Sequence, residues 1–347
     1  MPPAAAPRRP ITRVTKGTGT LPNDHGQVWR EYDITPYTLR VTSTNQPEQA
    51  VVDWILRETG YETWHSEPLG LLSANQRTLT VYHTPEIQAL VHELVDRFVC
   101  TEAESHVFNL RIMTLSSPNW RAKALPLMTP VPVQSQGVQA WLMARENAAL
   151  LLSGLRKRAD YREHGAPQMA VNNGQSIIVS TVRPRTYVRG VVQSSAAWPG
   201  YNPDVAQLEE GYSLEFAPLL SLDGTVVDAV IKLQLNQVEA MVPVMLEMPS
   251  TVAPRQRARI EVPQMIMHNL HERFRWPADQ VLLLSLGVVA TPDLRRGNGL
   301  TNALMLPTSP ARADALLFIE GVGKAVEATT TATPVARGPT THHSGRY

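Results

Sequence analysis

The chain has 347 residues, enough for two or three domains, and its net charge of +1 excludes a global field for nucleic acid or an anionic membrane surface. Charged residues make up 18%, below the ~25% usual in soluble domains, which fits two-sided β surface or surface hidden in an oligomer. The single cysteine, Cys100, excludes an intrachain disulfide and a cysteine zinc cluster, and its place after Phe98-Val99 is that of a small buried hydrophobe.

Residues 1–28 are rich in Pro, Thr and Gly, and the composition assigns them to a disordered segment. They lack an apolar h-region, so no signal peptide is expected within them. From Trp29 order begins. "REYDITPYTL" is a short strand stopped by Pro36, and "QPEQAVVDWILRETG" has helical spacing with Gly60 as its stop. Two extended segments follow, "YETWHSEPLGLLSANQ" and "RTLTVYHT". "TPEIQALVHELVDRFV" is then a second amphipathic helix, with Thr84 as N-cap and Ile87, Leu90, Val91, Leu94 and Phe98 along one face. The order β-α-β-β-α predicts a compact α+β module over 29–103.

Beyond it the period changes to two. "HVFNLRIMTL" alternates, and "VQAWLMARENAALLLSGLRKRAD" is a strand or short helix running into a longer helix. From Met169 strands dominate: "QMAVNNGQSIIVSTV" carries a hairpin signal at Asn173-Gly174, and "GYSLEF" alternates. "EFAPLLSLDGTVVDAVIKLQL" places Asp223-Gly224 between two alternating runs, a type I′ hairpin signal because that turn needs positive φ at both central residues. "RARIEVPQMIMHNL", "DQVLLLSLGVVAT" and "ADALLFIEGV" add three more strands. The longest apolar run, Val281–Ala290, is far short of the ~20 residues of a membrane-spanning helix. A β-rich domain is predicted over 106–320 and a low-complexity tail over 326–347, so the fold class is α+β.

This layout resembles the secretin family, the ring-forming outer-membrane channels of type II and III secretion. "RTLTVYHTPEIQALVHELVDRF" is similar to the strand, Thr-Pro turn and helix of the family's ring-building module, and "VFNLRIMTL" to the strand that opens its core. "APQMAVNNGQSIIVST" resembles the family's Pro…Asn-Gly-Gln hairpin, through Asn173 and Gly174. "EEGYSLEFAPLLSLDGTVVDAVIKLQL" resembles its "G-h-x-L-x-h-x-P-h-h-s-x-D-G" signature (h, apolar), through Gly211, Leu214, Pro218, Asp223 and Gly224. "WPADQVLLLSLGVV", with Pro277, looks like a worn copy of the family's "V-P-D-G-x-T-h-L-L-G-G-L". Ser285-Leu286 stands where the family has Gly-Gly, and Ala278-Asp279 where it has Asp-Gly. The family's following "V-P-x-L-G-D-I-P-x-L-G" is replaced by "TPDLRRGNGLTNALMLPTSPARAD".

The resemblance spans residues 29–320 and implies a ring homo-oligomer with other secretion components as partners. It implies a place at the outer membrane or in the periplasm, with no cofactor and no nucleic acid. The opening hairpin would be one stave of a shared barrel, which removes open sheet edges. A degenerate relative acting as a scaffold part belongs to the same reading. The alternative is a soluble adaptor or binding module of the same descent without channel activity.

No catalytic or metal set competes. In "HNLHERF", His268 and His271 are three apart and Glu272 follows both, whereas a helical zinc protease site needs two His at i and i+4 around a Glu. That segment is expected as a surface turn, and His83 and His92 as solvated polar-face residues. In "EGVGKA" the first glycine of a phosphate loop is Phe318 and the magnesium-binding Ser/Thr is Ala325, so no phosphate loop is expected. Arg183, Arg185 and Arg189 with Tyr187 read as a polar hairpin limb, and His342-His343 as part of the tail. The chain is expected not to be an enzyme.

Overall fold

The computed structural model describes residues 12–16, 21, 23, 25–99, 105–193, 201–248, 256–291 and 311–324. Cys100, His342-His343 and the tail 326–347 lie outside the described residues. The first elements are β1 (Val14–Lys16), β2 (Val28–Asp33), α1 (Thr35–Thr38), α2 (Glu48–Thr59), β3 (Leu71–Ala74), β4 (Thr78–His83) and α3 (Pro85–Val99). The strands form an antiparallel sheet in the order β1-β2-β4-β3. β1 falls inside the segment whose composition predicts disorder; three residues paired to the edge of β2 leave no hydrophobic pattern to read.

Helices α2 and α3 cover this sheet with Val51, Trp54 and Ile55 from one and Val91, Leu94, Val95 and Phe98 from the other. Leu90 lies off the buried stripe and is exposed, while Gln88 is fully buried. Gln88 is tolerated there because all its polar atoms are used. Its amide donates to the carbonyls of Val28 and Val81, and its carbonyl accepts from the Tyr32 hydroxyl. His83 is also buried, with Nε2 3.1 Å from the Thr63 carbonyl and the ring edge-on to Trp64. The expectation of a solvated His83 fails because the alternation of β4 turns this side chain into the sheet–helix seam.

The remaining elements are β5 (His106–Leu115), α4 (Trp120–Ala124), β6 (Thr129–Val131), β7 (Gln139–Ala144), α5 (Arg145–Arg156), β8 (Tyr161–Gly165), β9 (Gln168–Val171), β10 (Ile177–Gln193), β11 (Tyr201–Leu220), β12 (Val226–Met248), β13 (Gln256–Pro277), β14 (Gln280–Thr291) and β15 (Ala311–Lys324). The expected strand running into a helix is β7 followed by α5. Every described ladder is antiparallel. One sheet has the order β6-β7-β14-β15-β5-β8, with β9 also paired to β5; the other has the order β10-β11-β12-β13. The fold is α+β and β-rich. Among the described residues no helix is long and apolar enough to cross a membrane.

The layers follow from the alternation. Leu214, Phe216, Ala229, Ile231, Leu233 and Phe274 project from one face of the long-stranded sheet onto Leu110, Ile112, Leu282, Leu284, Leu317 and Ile319 of the other sheet. Opposite neighbours on the latter sheet, Met113, Trp141, Leu283, Leu316 and Phe318, meet α4 and α5. β14 is therefore buried on both faces from Val281 to Leu286, as its apolar run, broken only by Ser285 over this stretch, predicts. Leu219 and Val230 leave the long sheet by its other face and join the core under α2 and α3.

Candidate assembly surface

The signature residues occupy three places along β11 and β12. At the tip, the ladder closes at Leu220↔Val227, and the Gly224 amide donates to the Ser221 carbonyl at 2.9 Å. Gly224 has φ +70°, whereas no described non-glycine residue has positive φ. The turn is thus not the predicted type I′, which would need positive φ at Asp223 too. It is a longer loop in which glycine alone takes the left-handed position. Asp223 holds it by accepting from the hydroxyls of Ser221 and Thr225 and from the Thr225 amide.

Those donors, the Ser221 hydroxyl foremost, press the Asp223 carboxyl down from 3.8 to about 2. A folded value below the unfolded one means that the contribution is complete above the unfolded value and is lost as pH falls through about 2. The side-chain carboxyl signal of Asp223, followed by NMR through an acid titration of the folded chain, should have its midpoint near 2. A midpoint at the ordinary aspartate value would show that the three donors are not engaged.

Asn173-Gly174 is not a hairpin turn, contrary to the sequence expectation. β9 pairs with β5 and β10 with β11, so the two residues form a corner where the chain crosses from one sheet to the other. Asn173 is buried, and its amide nitrogen donates to the carbonyls of Arg97 and Leu220 while its carbonyl accepts from the Leu220 amide at 2.6 Å. The Gly174 amide donates to the Pro218 carbonyl at 2.7 Å. Pro218 is accommodated because a strand residue's N and O face the same side, and on that side β10 begins only opposite Phe216. The corner thereby ties the end of α3 to the end of β11.

A second tie lies beside it. Arg273 of β13 donates to the Asp228 carboxylate, which is 1% exposed, and to Glu58 of α2, with its guanidinium 5.3 Å from the Trp54 ring centre. The hydrogen bond to Asp228 raises the Arg273 pKa, so this cation stays charged. Pro277 ends β13 opposite Val226, and the Ala278 amide donates to the Thr225 carbonyl, which fixes the turn into β14.

Gly211 marks the third place. The β11–β12 ladder ends at Gly211↔Asn236, although both strands continue. From there β11 pairs only with β10, as far as Tyr201↔Gln193, and β12 only with β13, as far as Met248↔Gln256. The sheet forks into two ribbons: β11 continues over 201–210, ~33 Å at ~3.3 Å per residue, and β12 over 237–248, ~40 Å. Gly211 has φ +141°, and a Cβ there would lie 1.9 Å from the Thr181 carbonyl oxygen. Only glycine lets the backbone pass so close at the point of divergence.

Both ribbons carry cross-strand ion pairs, Arg257 with Glu247 on β12–β13 among them, and they differ in how their apolar residues are arranged. On β10–β11, Arg185 pairs with Glu210 and Arg189 with Asp204, so two of the three arginines of the polar limb are engaged across strands. On β12–β13 the register sets Val242 against Val262, Val244 against Ile260 and Leu246 against Ala258, one apolar stripe. Met245 and Met267 are 58% and 64% exposed. "HNLHERF" lies inside β13 rather than in a surface turn; its alternation is masked by the two histidines and flanking charges. His268 Nδ1 is 3.1 Å from the Leu286 carbonyl, and burial lowers its pKa. Glu272 accepts from the backbone amides of Gln134 and Ser135. Among the described residues no group of three His, Cys, Asp or Glu side chains could hold a metal.

No family model matches the chain, and no curated protein matches it. Among solved structures it is similar to ExeD of Aeromonas hydrophila, at 10% identity and a TM-score of 0.28, covering 81% of this chain and 60% of ExeD. It is similar to the type III secretion injectisome secretin InvG of Salmonella at 12% identity and a TM-score of 0.28, covering 75% of this chain and 79% of InvG. For the type II secretion secretin XcpQ of Pseudomonas aeruginosa the values are 9% and 0.23, over 81% and 74%. The chain thus spans about three fifths of the length of ExeD.

Proposed function

We propose that this chain is a secretin-like, ring-forming component of a protein secretion system, acting at the outer membrane or in the periplasm with copies of itself and other secretion components. The observation that carries the reading is the fork. Past Gly211 and Asn236, two long ribbons run on, and no ladder joins β11 to β12 or β10 to β13 among the described residues. β10 and β13 come near each other without forming a ladder, and backbone edges left unpaired in this way are an aggregation hazard unless neighbouring copies pair with them. A ribbon of ~40 Å exceeds the ~30 Å hydrocarbon thickness of a bilayer, and the β12–β13 stripe offers lipid an apolar face while the ion-paired β10–β11 ribbon suits water. The division into a ring-building module over 29–103 and a secretin-like domain over 106–320 belongs to the same proposal, as does the assembly role of Asn173, Gly174, Gly211, Pro218, Asp223, Gly224 and Pro277.

A second reading, a soluble adaptor or binding module without channel activity, is favoured by β14. Its Ser285 is locked into a buried ionic cluster where the family carries a glycine. Purified full-length chain extracted in mild detergent should run by light scattering as a large homo-oligomer and give ring-shaped particles by electron microscopy. A soluble monomer, without detergent and across a wide concentration range, would remove the ring reading and leave the adaptor.

A further inference from the structure

A groove of about 440 Å³ runs beside α5, away from the ribbons and from the ties to α2 and α3. Its helix wall is built from positions 145, 148, 149, 152, 153, 156 and 157, one face over the whole length of α5. Twelve residues at ~1.5 Å each make this about 18 Å long. The facing wall is β5 and β15, through Arg111 and Glu320, and the floor is apolar, through Leu152, Val281 and Phe318.

Its charge is the distinctive feature. The chain as a whole is balanced at +1, yet Arg111, Arg145, Arg156 and Lys157 converge on this one groove, whose only carboxylate is Glu320. Glu163, just outside, is shared by Arg111 and Arg156 at 3.5 and 3.8 Å, too long for strong bonds. Arg145 is fixed in place by donating to the carbonyls of Ala278 and Gly321 at 2.9 and 2.7 Å, and its Nε is buried without a partner. A fixed guanidinium, three more cations along the rim and the half-buried Leu152 between them call for an anionic occupant that also has apolar side chains.

We propose that this groove docks a short acidic segment of a partner protein, with carboxylates on the Arg111, Arg145, Arg156 and Lys157 rim and apolar side chains against the half-buried Leu152 of α5. The probe is a fluorescein-labelled dodecapeptide, half glutamate and half leucine and alanine, added to the full chain at low salt and read by polarisation. Its counterpart has lysine for every glutamate. The acidic peptide should bind, the lysine peptide should not, and added salt should weaken the complex. Arg156→Glu/Lys157→Glu, at the exposed end of α5, should weaken binding at least about ten-fold with unchanged circular dichroism, and Arg111→Glu should do likewise from the opposite wall. Equal binding of both peptides, or undiminished binding by both variants, would overturn the proposal. So would self-association abolished by the double variant, which would assign the groove to a second copy. Ring formation is scored on the same samples, and its absence alone leaves the peptide result standing.

Discussion

Gly174→Ala and Gly211→Ala should each destabilise the fold by about 3 kcal/mol or more, whereas Gly224→Ala should cost only about 1–2 kcal/mol. All three glycines have positive φ, so all share the steric cost of a side chain in that region. The surroundings separate them. A Cβ on Gly224 meets nothing within 4 Å, so the conformational cost is the whole cost. On Gly174 it would stand 2.0 Å from Cε1 of Phe98, a ring packed edge-on to Tyr37 at 4.9 Å in the core under α3. Phe98 cannot retreat without opening that core, and the Gly174 amide would lose its bond to Pro218. On Gly211 the obstruction is the Thr181 carbonyl, a backbone atom already held in the β10–β11 ladder. Denaturant midpoints of the three variants give the order directly. A Gly224 variant as unstable as the Gly174 variant would show that the corner is not packed as described. In assembly assays Gly224→Val should still be more damaging than His268→Ala, since the histidine makes one peripheral bond to the Leu286 carbonyl.

How far the sequence could be read follows from these same residues. Periodicity alone marks α2, α3 and the β11–β12 hairpin, because each has one buried face and one wetter face over enough residues to show a period. β5 shows it only through Asn109 and Arg111, since Met113 and Leu115 of its second face are buried too. The hidden features are those in which two elements share a residue. Asn173-Gly174 has the letters of a hairpin turn, but its partners are Arg97, Leu220 and Pro218, distant in the chain. "HNLHERF" loses its alternation because inward Glu272 caps a backbone loop and outward Arg273 serves the buried Asp228. A polar residue satisfied across the fold looks, in one dimension, like a turn. The fork was equally invisible, since local pairing signals do not say where a ladder between two continuing strands stops. Gly211 is its trace in the sequence, where it reads as part of a motif rather than as a point of divergence.

The largest effect outside the glycines should come from the cluster around Asp314, and it bears on whether the chain can open. Asp314 is 0% exposed and lies 2.9 Å from an Arg121 nitrogen. It accepts from the Arg121 Nε and Trp120 Nε1, both at 3.0 Å, and from the Ser285 hydroxyl at 2.6 Å. Arg121 also donates to Ser285 and Gln139 and is flanked by the rings of Trp120 and Trp141. Removing one partner leaves a buried charge uncompensated, so Asp314→Ala or Arg121→Met alone should cost about 3–5 kcal/mol. The pair Arg121→Met/Asp314→Leu should recover most of that, because charge loss is then balanced and the site stays filled. Ser285→Gly restores the residue type found in the resembled family, yet here it removes one of three donors to a buried carboxylate and loosens a strand packed on both faces. It should cost about 2 kcal/mol. A strand pinned in this way, with Leu282, Leu284 and Leu286 on the other face, is a fixed layer rather than a hinge. Reconstituted into liposomes, the unmodified chain should therefore give no large gated currents, whatever ring it forms. Such currents from this chain alone would mean that β14 moves despite the cluster, and that the missing glycines do not matter.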